Sequence, residues 1–418
     1  MITLVSDLHL SDSTARSTIN VRRLLERLSR AFTDAAEKKV EKLTLVLLGD
    51  IFEVLKSEVW LDDERSVRPW EVCTPAHDEA VAEIIRRIIS ANEEFFVGLQ
   101  RMQREHGSRL RMVYVPGNHD RPLNTKMGVT GRGLIRSKLP ALNSGAEMYS
   151  EKFVEEEHGL VAEHGHEWDP ENRSGAGLAA VGDAIVIEFV LRLPVLVRQR
   201  LGFAEDDDAI DFLYEFDNVR PHTPEVLLQW IGSNVALLGK KISPDIHSEI
   251  KKALKDILGD FISLQGKVAF GSFEAIERRV DLLLRVVKGM AGYIENVVSL
   301  LPADEATSPY PSLALDAFQF LQELGSDYRY FVCGHTHDPM VVPLDAGTSR
   351  AGQRVRVYFN TGTWRRVRRI AGGASGGEAV KAFSCWDEEC VVNIYSRDDQ
   401  GLGFPPYEFY RLTSGAHV

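Results

Sequence analysis

The feature that most constrains this chain is a series of short apolar segments that each end in Asp, Asn or His. In the first 120 residues three of them alternate with two segments of helical periodicity, 19–38 and 80–103. Strands that alternate with helices predict an α/β fold, with the polar clusters at the strand ends. The segments are MITLVSD (1–7), KLTLVLLGD (42–50), LRMVYVPGNHD (110–120), GLVAEHGHEWD (159–169) and YRYFVCGHTHD (328–338).

The character of the sequence changes between the fourth and fifth of these segments. Residues from about 175 to 325 are mostly helical by periodicity, and short strands resume after them. A chain of 418 residues also exceeds the length, about 250–300 residues, at which single cores stop growing. We therefore expect a core formed by residues 1–170 and 328–418, and a helical cap insertion at 171–327.

Composition narrows the class of protein. Hydrophobic residues make up 44% and charged residues 26%, as in soluble globular proteins. The net charge of −12 provides no overall positive field, so nucleic acid is not expected as a partner. The start, MITLVSDLHL, lacks the basic and long apolar regions of a signal peptide, which favours a cytoplasmic location.

One segment of the insertion, 178–201, is apolar around much of a helix. Asp183, Glu188, Arg192 and Pro194 interrupt it, so no transmembrane span is expected. We interpret the segment as a buried helix of the cap. Peripheral contact with a membrane, or binding of an acyl chain, remains an alternative.

The polar residues at the strand ends are of the types that bind divalent metal ions. Asp7 and His9 are two residues apart, so on a strand both would point to one face. Each cluster taken alone is also typical of a turn, but together they indicate oxygen and nitrogen donors that converge at one sheet edge. The donors are Asp7, His9, Asp50, Asn118, His164, His335 and His337, with His166 an alternative to His164.

Seven donors are more than one catalytic zinc ion uses, since such an ion takes three or four protein ligands. Mixed carboxylate, amide and imidazole donors suit two divalent ions about 3.5–4 Å apart, with Mn favoured over Fe or Zn. Asp50 is the natural bridge between them.

Five stretches in this order, SDLHLS, GDIFE, GNHD, EHGH and GHTH, resemble the motifs of the calcineurin-like metallophosphoesterase superfamily. The resemblance covers residues 1–170 and about 328–370, and the insertion has no counterpart in it. It implies a four-layer αββα sandwich and two metal ions. The first would be bound by Asp7, His9 and His337, the second by Asn118, His164 and His335, and Asp50 would bridge them.

The resemblance also implies the catalytic residues. His119 would polarise or protonate the phosphate ester, and Glu53 would orient His119, with Asp120 beside them. Glu53 could instead cap the segment that follows it. The reaction implied is hydrolysis of a phosphomonoester, phosphodiester or pyrophosphate by in-line attack of a metal-bridging hydroxide.

Three alternatives to a general phosphoesterase remain open. GDIFE and NTGTW (360–364) resemble stretches of UDP-2,3-diacylglucosamine pyrophosphohydrolases, but those enzymes carry arginine where this chain has His119. A Mn-dependent DNA nuclease of the superfamily shares most of the motifs. A non-catalytic scaffold would usually have lost some of the ligands.

Arginines near the motifs are candidates for binding the substrate. Arg366 and Arg368 would share one face of a strand, and Arg121 follows GNHD. A solvated charged strand is the alternative for the first two. We also expect His335 and His337 to lie on one side of an extended segment, each serving a different metal, with Gly334 keeping the backbone thin beside them.

Overall fold

The structure is a computed structural model. It describes residues 1–15, 19–62, 67–70, 74–126, 128–142, 148–174, 180–204, 208–220, 226, 229–235, 245–265, 319–321, 323, 328–344, 356–370 and 383–417.

The described strands and helices follow the order of the sequence. The strands are β1 (Ile2–Val5), β2 (Leu43–Leu48), β3 (Leu110–Val115), β4 (Lys152–Glu155), β5 (Leu160–Glu163), β6 (Val219–Arg220), β7 (Tyr330–Cys333), β8 (Met340–Leu344), β9 (Arg356–Asn360), β10 (Arg366–Ile370), β11 (Phe383–Ile394) and β12 (Tyr407–His417). The helices are α1 (Val21–Glu37), α2 (Pro75–Ala91), α3 (Glu93–His106), α4 (Val129–Lys138), α5 (Val181–Ile185), α6 (Arg192–Leu201), α7 (Asp211–Tyr214), α8 (Ile246–Gln265) and α9 (Arg397–Gly401).

The chain divides into two compact units. The first consists of Met1–Trp168, Pro309–Arg365 and Asp387–Ser414. The second consists of Asp169–Ser308, Arg366–Trp386 and Gly415–Val418. The second unit therefore contains most of the predicted insertion together with β10 and the start of β11. Residues 266–318 lie outside the described residues.

The described strands form two mixed sheets, so the predicted α/β class is confirmed. In one sheet β1, β2 and β3 are parallel, and β11 is antiparallel to β1 with Thr3 opposite Asn393. The other sheet has the order β4-β5-β7-β9-β8, with β5, β7 and β9 parallel. Parallel strands end at the same edge of a sheet, which is the condition for the motifs to meet.

The main core of the first unit lies between its two sheets. Leu4, Val46 and Val113 of one sheet belong to the same buried cluster as Val332 and Phe359 of the other. Burial of each such side chain contributes about 1.5–3 kcal/mol, so the facing sheets fix each other's position. This packing also fixes the ends of the strands in one sheet relative to those in the other.

The helices of the first unit confirm one prediction and correct another. Helix α1 lies within the predicted helical segment 19–38, and Leu24, Leu25, Leu28 and Phe32 lie on its buried face. The predicted helix at 80–103 is instead two helices that meet at Asn92. The Asn92 amide donates to the Ile88 and Ser11 carbonyls, so it ends α2 and ties it to the loop after β1.

The second unit has its own apolar core. Leu193 and Val197 of α6 pack in it with Trp230 and with Ile250 and Leu254 of α8. Within segment 178–201, residues 180–201 are described, and they form α5, a π-helical turn (Val186–Leu191) and α6. Across the parts of the chain that are described, every helix is too short or too polar to span a bilayer.

Candidate metal centre

The loops that carry the predicted donors are tied to one another by main-chain hydrogen bonds. The loops after β1 and β2 run side by side, since Asp7 N–H donates to the Gly49 carbonyl at 3.1 Å and His9 N–H to the Asp50 carbonyl at 2.8 Å. In the other sheet, Gly334 N–H donates to the His164 carbonyl at 2.9 Å. The donors are therefore held by backbone that has little freedom to move.

Five of the seven donors lie beyond the strands in left-handed backbone. Asp7, His9, Asp50, His335 and His337 have φ angles of 51°, 46°, 50°, 71° and 57°. The predictions that strand alternation aligns Asp7 with His9, and that 335–337 is extended, are therefore wrong. Such φ values cost about 1–3 kcal/mol per residue and cluster at functional sites, where the surrounding structure enforces them. Here the left-handed backbone lets the side chains of these five residues point toward one another.

The first donor group combines Asp7, His9, Asp50 and His337, all buried. His337 Nε2 lies 3.1 Å from Asp7 Oδ1 and 3.0 Å from His9 Nε2. His9 Nε2 lies 3.8 Å from Asp50 Oδ2. Two carboxylates and two imidazoles whose donor atoms converge in this way form a site that a divalent cation fits.

The second donor group combines Asp50, His164 and His335. His164 Nδ1 pairs with the Leu48 carbonyl at 3.0 Å, which makes Nδ1 the protonated nitrogen, and Nε2 faces Asp50 Oδ2 at 3.1 Å. Asn118 Oδ1 lies 3.1 Å from His335 Nδ1 and adds an amide oxygen. His166 belongs to none of the donor groups found among the described residues, although its ring centre is 5.6 Å from that of His164.

The electrostatics of the two groups also fit a cation. Burial, and then Asp50, raise the pKa of Asp7 to about 6, although nearby histidines oppose the rise. Burial alone would lower the pKa of His164, but Asp50 and Asp7 outweigh it and raise that pKa to about 9. Buried carboxylates this close to each other need positive charge, which either protons or metal ions can supply.

His119 is held next to this centre by a carboxylate. Its Nδ1 lies 2.6 Å from Glu53 Oε1, and its N–H donates to Asp50 Oδ1 at 2.9 Å. Burial opposes the charged imidazole, but Glu53 and Asp50 outweigh burial and raise the pKa of His119 to about 9. Glu53 and Asp50 therefore favour the protonated form of the His119 imidazole.

Asp120 lies behind the site. It is fully buried, and its carboxylate accepts N–H bonds from Phe52 at 2.9 Å, Gly117 at 3.1 Å and Ile51 at 3.3 Å. These bonds tie the loop after β2 to the loop after β3. This geometry supports a positioning role for Asp120 rather than contact with a substrate.

The three arginines predicted to bind substrate do not share one environment. Arg366 Nη1 is 3.8 Å from Glu215 Oε1. Arg368 pairs with the same carboxylate and lies over the Trp230 ring, 5.0 Å from its centre. Both thus have an acidic partner within the second unit, and their binding of substrate stays a prediction. Arg121 lies near His166, whose pKa falls to about 4 mainly through burial, with the charge of Arg121 adding to the effect.

Residues of the NTGTW stretch form hydrogen bonds to the loops that carry the metal-binding candidates. The sequence did not predict this role for them. Thr363 Oγ1 donates to the Asp7 carbonyl at 2.8 Å, and Asn360 Nδ2 donates to the Gly334 carbonyl at 2.6 Å. Ser6 Oγ contacts both Asp7 Oδ2 and Thr361 Oγ1. The signal was present in the sequence, because an amide residue, Asn360, ends the buried strand β9 and the hydroxyl residues Thr361 and Thr363 come after it.

Two glycines are required by the close approach of the loops. A Cβ on Gly334 would lie 2.3 Å from Ser6 Oγ and 2.4 Å from Asp7 Oδ2. A Cβ on Gly117 would lie 2.2 Å from Asp50 Oδ1. Position 334 admits no side chain, as predicted, but the nearest obstacles are Ser6 and Asp7 rather than the histidines.

Comparison with known proteins adds little to this geometry. The sequence matches no protein-family model and no curated protein. A solved structure of a dimetal phosphatase from Danio rerio is similar at 11% identity and a TM-score of 0.29, over 93% of this chain and 94% of that one. A score this low carries no argument. The candidate site therefore rests on its own residues.

Proposed function

We propose that the protein is a binuclear metal-dependent phosphoesterase. The observation that carries the proposal is that Asp50 belongs to both donor groups, as a bridging ligand of two ions must. The resemblance of the five motifs to calcineurin-like metallophosphoesterases supports the same assignment. The bond cleaved belongs to a phosphomonoester, a phosphodiester or a pyrophosphate.

The two donor groups define which residues would hold each ion. Asp7, His9 and His337 would hold the first ion, Asn118, His164 and His335 the second, and Asp50 both. When bound, two divalent ions would supply activated water and neutralise phosphate oxygens. Mn is the first choice for assay, because carboxylate, amide and imidazole donors are all acceptable to it.

The residues of the chain supply the rest of the chemistry. His119, held at Nδ1 by Glu53, would donate a proton from Nε2 to the ester oxygen as the bond to phosphorus breaks. The Asp50 carboxylate fixes the His119 backbone, so the acid and the metal ligands share one frame. No covalent intermediate on a side chain is required.

All seven predicted ligand positions hold donor residues, which favours an enzyme over a non-catalytic scaffold. We expect purified protein to bind two Mn²⁺ ions and to hydrolyse p-nitrophenyl phosphate or its bis ester in a Mn-dependent and EDTA-sensitive way. A nucleotide-sugar pyrophosphate and linear DNA, assayed in parallel, separate the pyrophosphohydrolase and nuclease alternatives. Two bound ions with no turnover of any of these four substrates would contradict the proposal.

A further inference from the structure

A buried lysine contacts the carboxylate that holds His119. Lys56 is only 4% exposed, and its Nζ lies 2.8 Å from Glu53 Oε2. Its backbone N–H also donates to Glu53 Oε1 at 3.3 Å. Lysine is almost never buried to this extent without a charged partner, so the pair is a built feature of the loop after β2.

The same carboxylate contacts two histidines of the site. Glu53 Oε2 lies 2.8 Å from His9 Nδ1, and Glu53 Oε1 lies 2.6 Å from His119 Nδ1. An ionised carboxylate can only accept hydrogen bonds, so each histidine donates from Nδ1. For His9 this leaves the Nε2 lone pair to bind a metal ion together with Asp7 and His337.

The loop that carries this pair is fixed to its neighbour. Glu53 N–H donates to the Leu10 carbonyl at 2.9 Å, directly after His9 in the chain. Ser57 Oγ, next to Lys56, donates to Asp12 Oδ2 at 2.6 Å. Glu53 therefore has a fixed backbone on one side and the Lys56 ammonium on the other, and its two oxygens remain directed at two different rings.

We propose that Lys56 and Glu53 form a positioning pair that orients a ligand of the first metal ion and the acid His119 with a single carboxylate. This inference rests on the proposed function and deepens it. Lys56 holds the Glu53 carboxylate in place, so that neither histidine can rotate independently of the other. Loss of Lys56 would then weaken the first metal site and misplace the acid together.

Metal binding tests the first half of this inference without any assay of turnover. In the His335→Ala background only the first-group ion is expected to remain, and adding Lys56→Met should weaken its binding by about 10-fold or more. In the His337→Ala background, where the second-group ion remains, Lys56→Met should leave binding unchanged. Mn²⁺ affinity is measured by equilibrium dialysis and elemental analysis.

Two further variants complete the metal experiment. Lys56→Arg keeps the charge and should restore most of the affinity. Lys252→Met removes a lysine with the same three-residue spacing to its glutamate, but on the exposed face of α8 where the Lys252 to Glu249 distance is 2.6 Å. This control should bind both ions normally.

A comparison of substrates with different leaving groups tests the second half of the inference, the positioning of His119. If His119 is misplaced, Lys56→Met should slow phenyl phosphate, whose leaving group needs a proton, at least 10-fold more than p-nitrophenyl phosphate. A purely structural role for Lys56 would slow both substrates equally. The ratio of the two kcat values is therefore the quantity to compare between variants.

Particular results would overturn the inference. Lys56→Met with a wild-type affinity for the first-group ion would do so, as would an unchanged ratio of the two kcat values. If Lys56→Met does not fold, Glu53→Gln provides the same test, because its amide has one acceptor oxygen for two histidines. A wild type that binds two ions but cleaves nothing would refute the proposed function while leaving the metal test of the pair intact.

Discussion

His335 and His337 lie one residue apart and yet belong to different donor groups. The left-handed φ angles of both residues separate the two rings, so that His337 Nε2 reaches Asp7 while His335 Nδ1 reaches Asn118. One short turn from the second sheet thus contributes to both halves of a centre whose other ligands come from four separate loops.

This division predicts a distinct result for each histidine. We expect His337→Ala and His335→Ala each to retain one of two Mn²⁺ ions, because each removes one ligand of a different group. Adding Asn118→Ala should abolish the remaining ion in His337→Ala but not in His335→Ala. Stoichiometry by elemental analysis after dialysis measures both effects.

His166→Ala provides the matched control for these variants. It removes a buried histidine from the same region but outside both donor groups, so two ions should remain bound. Loss of an ion in His166→Ala, or an identical response of the two double variants, would contradict the assignment of ligands.

At the scale of structural elements, the loops after the parallel strands limit which substitutions the site can accept. The loop after β7 passes so close to the loop after β1 that position 334 has no room for a side chain. The size of the side chain that fits at position 334 is therefore limited by Ser6 and Asp7 in the loop after β1, and not by the secondary structure around Gly334 itself.

Gly334→Ala should accordingly impair the site more than the fold. The added methyl group would overlap Ser6 and Asp7, so we expect a loss of stability of about 1–3 kcal/mol. We also expect markedly weaker binding of the first-group ion, because the Asp7 carboxylate must shift. Thermal unfolding of metal-free protein and Mn²⁺ titration measure the two effects separately.

Gly133→Ala in α4 is the matched comparison. A Cβ at position 133 meets nothing within 4 Å, so this variant should be neutral, or more stable by about 0.5–1 kcal/mol, with normal metal binding. Equal behaviour of the two alanine variants would show that the loop after β7 can move away from Asp7.

For the whole molecule, acid stability depends in part on a histidine far from the proposed chemistry. His158 is buried in the turn between β4 and β5, and neither ring nitrogen has a hydrogen-bond partner within the described chain. Burial is the main reason that the pKa of His158 falls to about 4, below the usual value of 6.5. Between those pH values the unfolded chain binds more protons than the folded one, so stability falls as the pH drops.

His158→Gln should remove this part of the acid sensitivity. We expect the wild type to lose about 1–2 kcal/mol more than the variant between pH 7 and pH 4.5, after allowance for partial solvent screening. Urea unfolding of metal-free protein at both pH values gives the comparison. The prediction fails if the two proteins lose stability equally over this range.

Sequence patterns were sufficient to locate the secondary-structure elements that have a regular periodicity. Apolar runs located the strands, and the spacing of Leu24, Leu28 and Phe32 located the buried face of α1. They could not show the break at Asn92, because the apolar periodicity continues on both sides of it and the cap depends on a distant partner, Ser11.

Within the candidate site, the sequence indicated the residue types but not their geometry. The convergence of Asp7 and His9 was expected from strand alternation, whereas it arises from left-handed loop backbone that no periodicity encodes. Lys56 was missed for a similar reason. A lysine three residues after a glutamate is common on exposed loops, and only burial by the rest of the fold makes it significant.

The pairing of β1 with β11 has a consequence for synthesis of the protein. β1 lies inside its sheet, and the partner of Thr3 on one side is Asn393. At about 5–20 residues added per second, the ribosome needs roughly 20–80 s to make the chain between them. During that interval one edge of the nascent strand has no native partner. A chaperone that shields exposed strand edges would therefore be expected to improve the yield of active protein.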